Sequence, residues 1–160
     1  MDGRRLPDLG RRGEGWFIVQ IVIFVAIALA GTLGPAWSGA ARSVSAALGL
    51  LLGGAGGLLA FRGLIDLNEN LTPFPKPLPG GHLVDRGAYG LVRHPIYGGL
   101  IAAAFGWGLL TASPLAIAGG AVLIAFFDLK SRREEIWLAE RYTGYVAYRA
   151  RTRRLLPWIY

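Results

Sequence analysis

Hydrophobic positions in this chain gather into long runs separated by short polar connections. Residues 16–37 (WFIVQIVIFVAIALAGTLGPAW) and 43–61 (SVSAALGLLLGGAGGLLAF) carry no ionisable side chain. A hydrocarbon core of ~30 Å needs about 20 such residues as helix, so each run is long enough to cross once. From Pro95 to Phe127 another 33 residues are free of charge, interrupted by TASP at Thr111–Pro114. A proline inside a helix removes a hydrogen bond and clashes with the preceding turn, so this run reads as a tight hairpin of two short spans. Its second arm, 115–127, is too short alone and has to continue through Asp128 toward Lys130 or lie tilted in thinned lipid. The pattern predicts an all-α integral membrane protein with about four transmembrane helices, a cytoplasmic proline-rich strap and a C-terminal interfacial helix.

The segments between the runs have their own logic. In the second run Gly49, Gly53 and Gly57 recur every four residues, which predicts a smooth helix face where another helix approaches closely. Between 62 and 94 lies the longest polar stretch, with Pro73, Pro75, Pro77 and Pro79 at every second position. Such a run is excluded from helix and from central strand, and is expected as an extended, stiff strap of the kind that acts as a lid. After Phe127 the helix is expected to leave the membrane near Lys130, with Glu134, Leu138 and Arg141 on one face, and to break at Thr143-Gly144. Residues 1–15 read as a mobile tail.

Composition agrees with the pattern: 53% of residues are hydrophobic and only 17% charged. The net charge of +7 raises the question of a nucleic-acid partner. Placement answers it. Of the 17 Lys and Arg, four precede the first run, one lies in 38–42, four in 62–94, none in 112–114 and eight after Phe127. These cations flank spans and line no soluble face, so the expectation is an inner-membrane protein with cytoplasmic termini and no nucleic-acid role. A secretory signal ending at Ala28–Gly31 is the competing reading of the first run, and the continuation of apolar sequence to Trp37 speaks against it. With no cysteine there is no disulfide framework and no thiolate nucleophile or metal ligand, and no metal is expected.

Candidate chemistry concentrates in GAYGLVRHPIYGGLI, residues 87–101. Pro95 suits the first helical position, which puts His94 at the cap and leaves free N–H groups beside it as an anion site. His94, Tyr97, Gly98 and Ile101 share a face. The second constellation is Glu134-Glu135, about a turn beyond the fourth span, where Lys130 and Glu134 would otherwise pair at i,i+4 on a solvated helix. Brought beside the anion site by the hairpin, the carboxylates would complete a site for a zwitterion.

Together, NLTPFPKPLPGGHLVDRGAYGLVRHPIYGG, an apolar hairpin, KSRREEIWL and YTGYVAYRARTRRLLP resemble the isoprenylcysteine carboxyl methyltransferase and phospholipid methyltransferase family of integral membrane enzymes. The resemblance runs from about Asn70 to Pro157. It implies S-adenosylmethionine as methyl donor, S-adenosylhomocysteine as product, and a lipophilic acceptor entering from the bilayer. It sets His94, Tyr97 and Gly98 at the cofactor's methionine part, Glu134 and Glu135 near its ammonium, and Leu83 and Val84 over its adenosine. Arg93 and Arg151 fall near the acceptor, where a guanidinium would fix a carboxylate. Glu135 or Tyr148 would serve as base for an amine or phenol acceptor. On this reading residues 1–15 are the tail, 16–66 hold the first two spans, and 67–160 form the methyltransferase core, with hairpin 95–130, all in one domain. Glu134→Gln is expected to weaken cofactor binding, and Arg93→Ala mainly to lower turnover. Two other readings stay open: a membrane reductase using a nicotinamide dinucleotide, and a non-catalytic lipid-binding module.

Overall fold

The computed structural model describes residues 6–156. The first five residues of the expected tail, and Pro157 at the end of the resemblance, lie outside the described residues. Six helices follow in order: α1 (Glu14–Leu33), α2 (Ala40–Leu67), α3 (Ala88–Leu91), α4 (Pro95–Leu110), α5 (Pro114–Arg141) and α6 (Tyr145–Arg151). A short 3-10 turn, Asn68–Asn70, ends α2, and residues 71–87 form the strap. Three helices are long and apolar enough to cross a membrane: α1, α2 with its terminal turn, and α5.

The hairpin forms where it is expected, between α4 and α5. Its proportions differ. The shorter arm is α4, whose 16 residues span about 24 Å, while α5 runs on past Lys130 to Arg141, as the sequence leads one to expect. No helix breaker stands between Phe127 and Arg141, and the packing of Phe127, Lys130 and Ser131, all buried, carries the helix on. Pro114 sits at the start of α5, and Ser113 caps it by accepting from Ala116 N at 3.2 Å while donating to Ala30 O of α1 at 2.9 Å. One hydroxyl thus closes the hairpin and ties it to the end of α1. The break after α5 falls at Tyr142–Gly144, as the Thr-Gly pair foretells.

The helix order in space is α2–α4–α5–α1. Among the described residues α1 makes no packing contact with α2, so a seam runs between them. Trp16, Ile27, Ala104, Ala116, Leu123, Phe126 and Phe127 make the core that joins α1, α4 and α5. Outward-facing Ile18, Val22, Leu29, Leu51, Leu58 and Phe61 stay exposed, the surface that lipid would cover.

Glycines make the α2–α4 contact, in a register shifted from the expected one. Gly49, Gly53 and Gly56 meet the backbone of α4, while a Cβ on Gly57 would meet nothing within 4 Å. At 100° per residue Gly56 lies about 20° from Gly49 around the helix and Gly57 about 80°, so a strict four-residue repeat drifts off the seam. A Cβ on Gly99 would lie 2.5 Å from Gly56 O and 2.6 Å from Ala60 N. Gly99→Val is therefore expected to destabilise the protein by about 1–3 kcal/mol through overpacking. Gly57→Val should leave thermal unfolding in detergent at the wild-type temperature.

The described part of the tail, 6–13, makes contacts with the strap and with α1 and α5. Trp16 Nε1 donates to Pro7 O at 3.2 Å, Arg133 pairs with Asp8, and Lys76 N donates to Arg12 O at 3.4 Å. Arg12 lies over the Phe74 ring, which fastens the strap to the tail. The strap's other end is anchored by Asp66, which accepts from Ala88 N at 2.7 Å. Gly87 makes that turn with φ 60°, a left-handed value that favours glycine.

Candidate functional site

The strap, the start of α4 and the polar half of α5 enclose a cavity of about 400 Å³. Its polar wall holds His94, Tyr97, Lys130 and Glu134. Phe17, Gln20 and Phe24 of α1 and Leu64 of α2 reach it from either side of the seam. Phe74, Leu83 and Val84 of the strap cover it, and Tyr145 of α6 closes the far side.

The start of α4 is held by the chain's C-terminal end. Arg93 N and His94 N donate to Arg153 O at 2.8 Å and Arg154 O at 3.0 Å, beside a parallel bridge between Val92 and Arg153. His94 caps α4 and Pro95 begins it. The His94 ring stacks on Tyr97 with centroids 5.2 Å apart, and Tyr97 stacks on Phe127 at 4.5 Å. This stack aims the Tyr97 hydroxyl at Glu134, to whose Oε2 it donates at 2.6 Å. His94 Nδ1 stands 3.8 Å from the same oxygen.

Adjacent carboxylates on a helix point about 100° apart, and here they part completely. Glu134 is partly exposed and faces the cavity. Glu135 is buried on the other side of α5, with Oε1 2.7 Å from Arg93 Nε, 3.2 Å from Arg154 Nε and 3.4 Å from His94 Nε2. Arg149 Nε approaches its second oxygen at 3.7 Å. The pair expected to act together is split between a cavity wall and a buried ionic knot.

Arg93 lines the cavity, yet its guanidinium is engaged elsewhere. Besides Glu135 it donates to the carbonyls of Arg149, at 3.2 Å, and Thr152, which staples α6 and the C-terminal end to α4 and α5. Arg151 is exposed, pairs with Asp85 and stays outside the cavity lining. Gly98 also stays outside it: a Cβ there would lie 2.5 Å from Leu155 O, so this glycine admits the segment around Leu155. The same crossing takes the N–H groups of Arg93 and His94, next to the suggested anion site.

Tyr148 donates to Tyr89 O at 2.7 Å, and burial pushes its phenol well above the usual range. The Tyr145 phenol is raised by burial too, and its Oη has no hydrogen-bond partner among the described residues. Both stay protonated at neutral pH; the Tyr148 hydroxyl is spent on the Tyr89 carbonyl, and that of Tyr145 is buried behind the cavity wall.

Two residues without a sequence motif also belong to the wall. Lys130 is only 2% exposed, and its Nζ donates to Gln20 Oε1 of α1 at 2.6 Å. Among the described residues it forms no ion pair with a carboxylate, and Glu134 bonds Tyr97 in place of the expected i,i+4 pairing. Their only sequence signal is a polar side chain beside or within an apolar run. No group of His, Asp or Glu suited to a metal ion occurs among the described residues. A family model described as phospholipid methyltransferase matches residues 44–144, which takes in most of α2, the strap, the hairpin and the carboxylate pair. No curated protein matches the chain.

Proposed function

The chain belongs to the phospholipid methyltransferase family of integral membrane enzymes, and from that membership we propose that it methylates a lipophilic acceptor at the cytoplasmic face of an inner membrane, with S-adenosylmethionine as donor. One observation carries the reading: a single cavity joins a polar wall, a strap and a seam between two lipid-facing helices. The fit to the donor is chemical. Glu134 presents a carboxylate for an ammonium, and the prolines and leucines of the strap present an apolar cover for a nucleoside.

S-adenosylmethionine, when bound, supplies a methyl group on a cationic sulfur that leaves as a neutral thioether. The chain's own part is to hold reactants in line, which is worth ~7–11 kcal/mol without covalent catalysis. Tyr97 fixes the orientation of Glu134, the His94–Tyr97–Phe127 stack fixes Tyr97, and Arg93 fixes the C-terminal end over His94. The strap excludes water. The seam between α1 and α2 offers a long-chain acceptor a path from lipid that needs no helix to move. An acceptor already anionic needs no base. Glu135 is tied to three cationic side chains, so its place in this scheme is to position Arg93 and His94.

The reading is tested by calorimetric titration of the detergent-purified protein with S-adenosylhomocysteine, with a reduced nicotinamide dinucleotide in parallel. Binding of the nucleoside at micromolar affinity with no dinucleotide binding is the expected result. Binding of the dinucleotide alone would replace methyl transfer by hydride transfer.

A further inference from the structure

Lys130 is the cavity-wall lysine or arginine that forms no close ion pair with a carboxylate among the described residues: Glu134, one turn away, is held by Tyr97. An ammonium has three donors, and Lys130 uses one of them on a neutral amide, Gln20. Two aromatic rings lie beside it: Nζ is 5.0 Å from the Tyr97 centroid and 5.8 Å from that of Phe127. Ring faces attract a cation but offer no acceptor for the two remaining N–H groups. A buried charge without a partner is costly, and in an apolar helix such a residue marks a site whose partner arrives from outside. Arg93, the other cation on the wall, already holds Glu135 and two carbonyls.

We propose that Lys130 and Gln20 form an anion subsite at the bilayer-side end of the cavity, taking a carboxylate or similar acid group of a bound molecule. Gln20 holds the ammonium in place, and the two free N–H groups receive the acid oxygens. Lys130 and Glu134 stand one helical turn apart, about 6 Å along α5, so the cavity offers a cation and a carboxylate side by side. Two molecules present an acid there: the amino-acid part of the nucleoside cofactor, and an acidic headgroup on the lipophilic acceptor. The proposal rests on the methyltransferase reading for the identity of these molecules and on Lys130 alone for the charge.

The test uses the full chain in detergent and four probes in two matched pairs. S-adenosylhomocysteine is compared with 5′-methylthioadenosine, which lacks the amino-acid part, and palmitate with hexadecanol. Lys130→Gln is expected to bind one acid-bearing probe at least tenfold more weakly while its acid-free partner binds as in wild type, and Lys130→Arg should restore most of the loss. Loss on S-adenosylhomocysteine assigns the subsite to the cofactor, and loss on palmitate assigns it to the acceptor. Wild-type binding of all four probes by Lys130→Gln overturns the proposal, as does an equal loss on all four. Lys130→Met, which keeps the length and apolar stem, replaces the glutamine variant if that one does not fold. A wild-type protein that binds neither nucleoside sinks the methyltransferase reading, while a palmitate preference lost in Lys130→Gln would still uphold the subsite.

Discussion

Arg93→Ala is expected to lower the unfolding free energy by about 3–5 kcal/mol, the range seen when one partner of a buried ion pair is removed. The cost comes from what stays behind. Glu135, 3% exposed, loses its closest cation, and the carbonyls of Arg149 and Thr152 lose their donor. Arg154 and Arg149 remain near Glu135 and soften the loss. Thermal unfolding in detergent measures it, with limited proteolysis to report release of α6. This moves the expected effect of Arg93 from turnover to stability. A variant that melts with wild type and loses only turnover would return Arg93 to the acceptor.

The second large effect belongs to Glu134 and has the opposite signature. Glu134→Gln should weaken S-adenosylhomocysteine binding about 10- to 100-fold, since a hydrogen bond to a charged group is worth roughly 1.5–3 kcal/mol. Unfolding should stay at the wild-type temperature, because the glutamine amide oxygen still accepts from Tyr97. Titration calorimetry and a melt on the same preparation separate the two. Glu135→Gln should show the reverse order, with stability lost first. Wild-type cofactor affinity in Glu134→Gln would remove this carboxylate from the binding site.

The contrast between these neighbours marks how far the sequence alone reaches. Glu134 and Glu135 form one motif, and nothing in their order says which faces the cavity. That choice depends on the rotation of α5, which is set by Phe127 under Tyr97 and by the cations that gather around Glu135. Arg93 and His94 are likewise conspicuous as a pair. Their division of labour, a staple and a stacking cap, follows from the crossing of the Thr152–Leu155 segment some 60 residues later. The strap shows the favourable case in part: prolines at every second position forbid helix by local sterics, so its non-helical course is legible without any partner, while the bends over 73–76 and the turn at 79–80 replace the extended form expected of it. The α2 glycines show the intermediate case, where the close face is foreseeable and its register is settled by α4.

By itself the sequence determined the spans, the hairpin break at Thr111–Ser113, the Pro95 helix start, the strap and the family, because each rests on local chemistry: charge-free length, proline geometry, or residues adjacent in a motif. The tertiary structure alone decided that α1 and α2 leave a seam, that Glu134 and Glu135 part company, that Gly98 admits the segment around Leu155, and that Gln20 meets Lys130 across 110 residues. Those outcomes depend on helix rotation and on which distant surfaces pack. An apolar helix with no strongly amphipathic face carries little local information about either, since in lipid every side of it is equally at home.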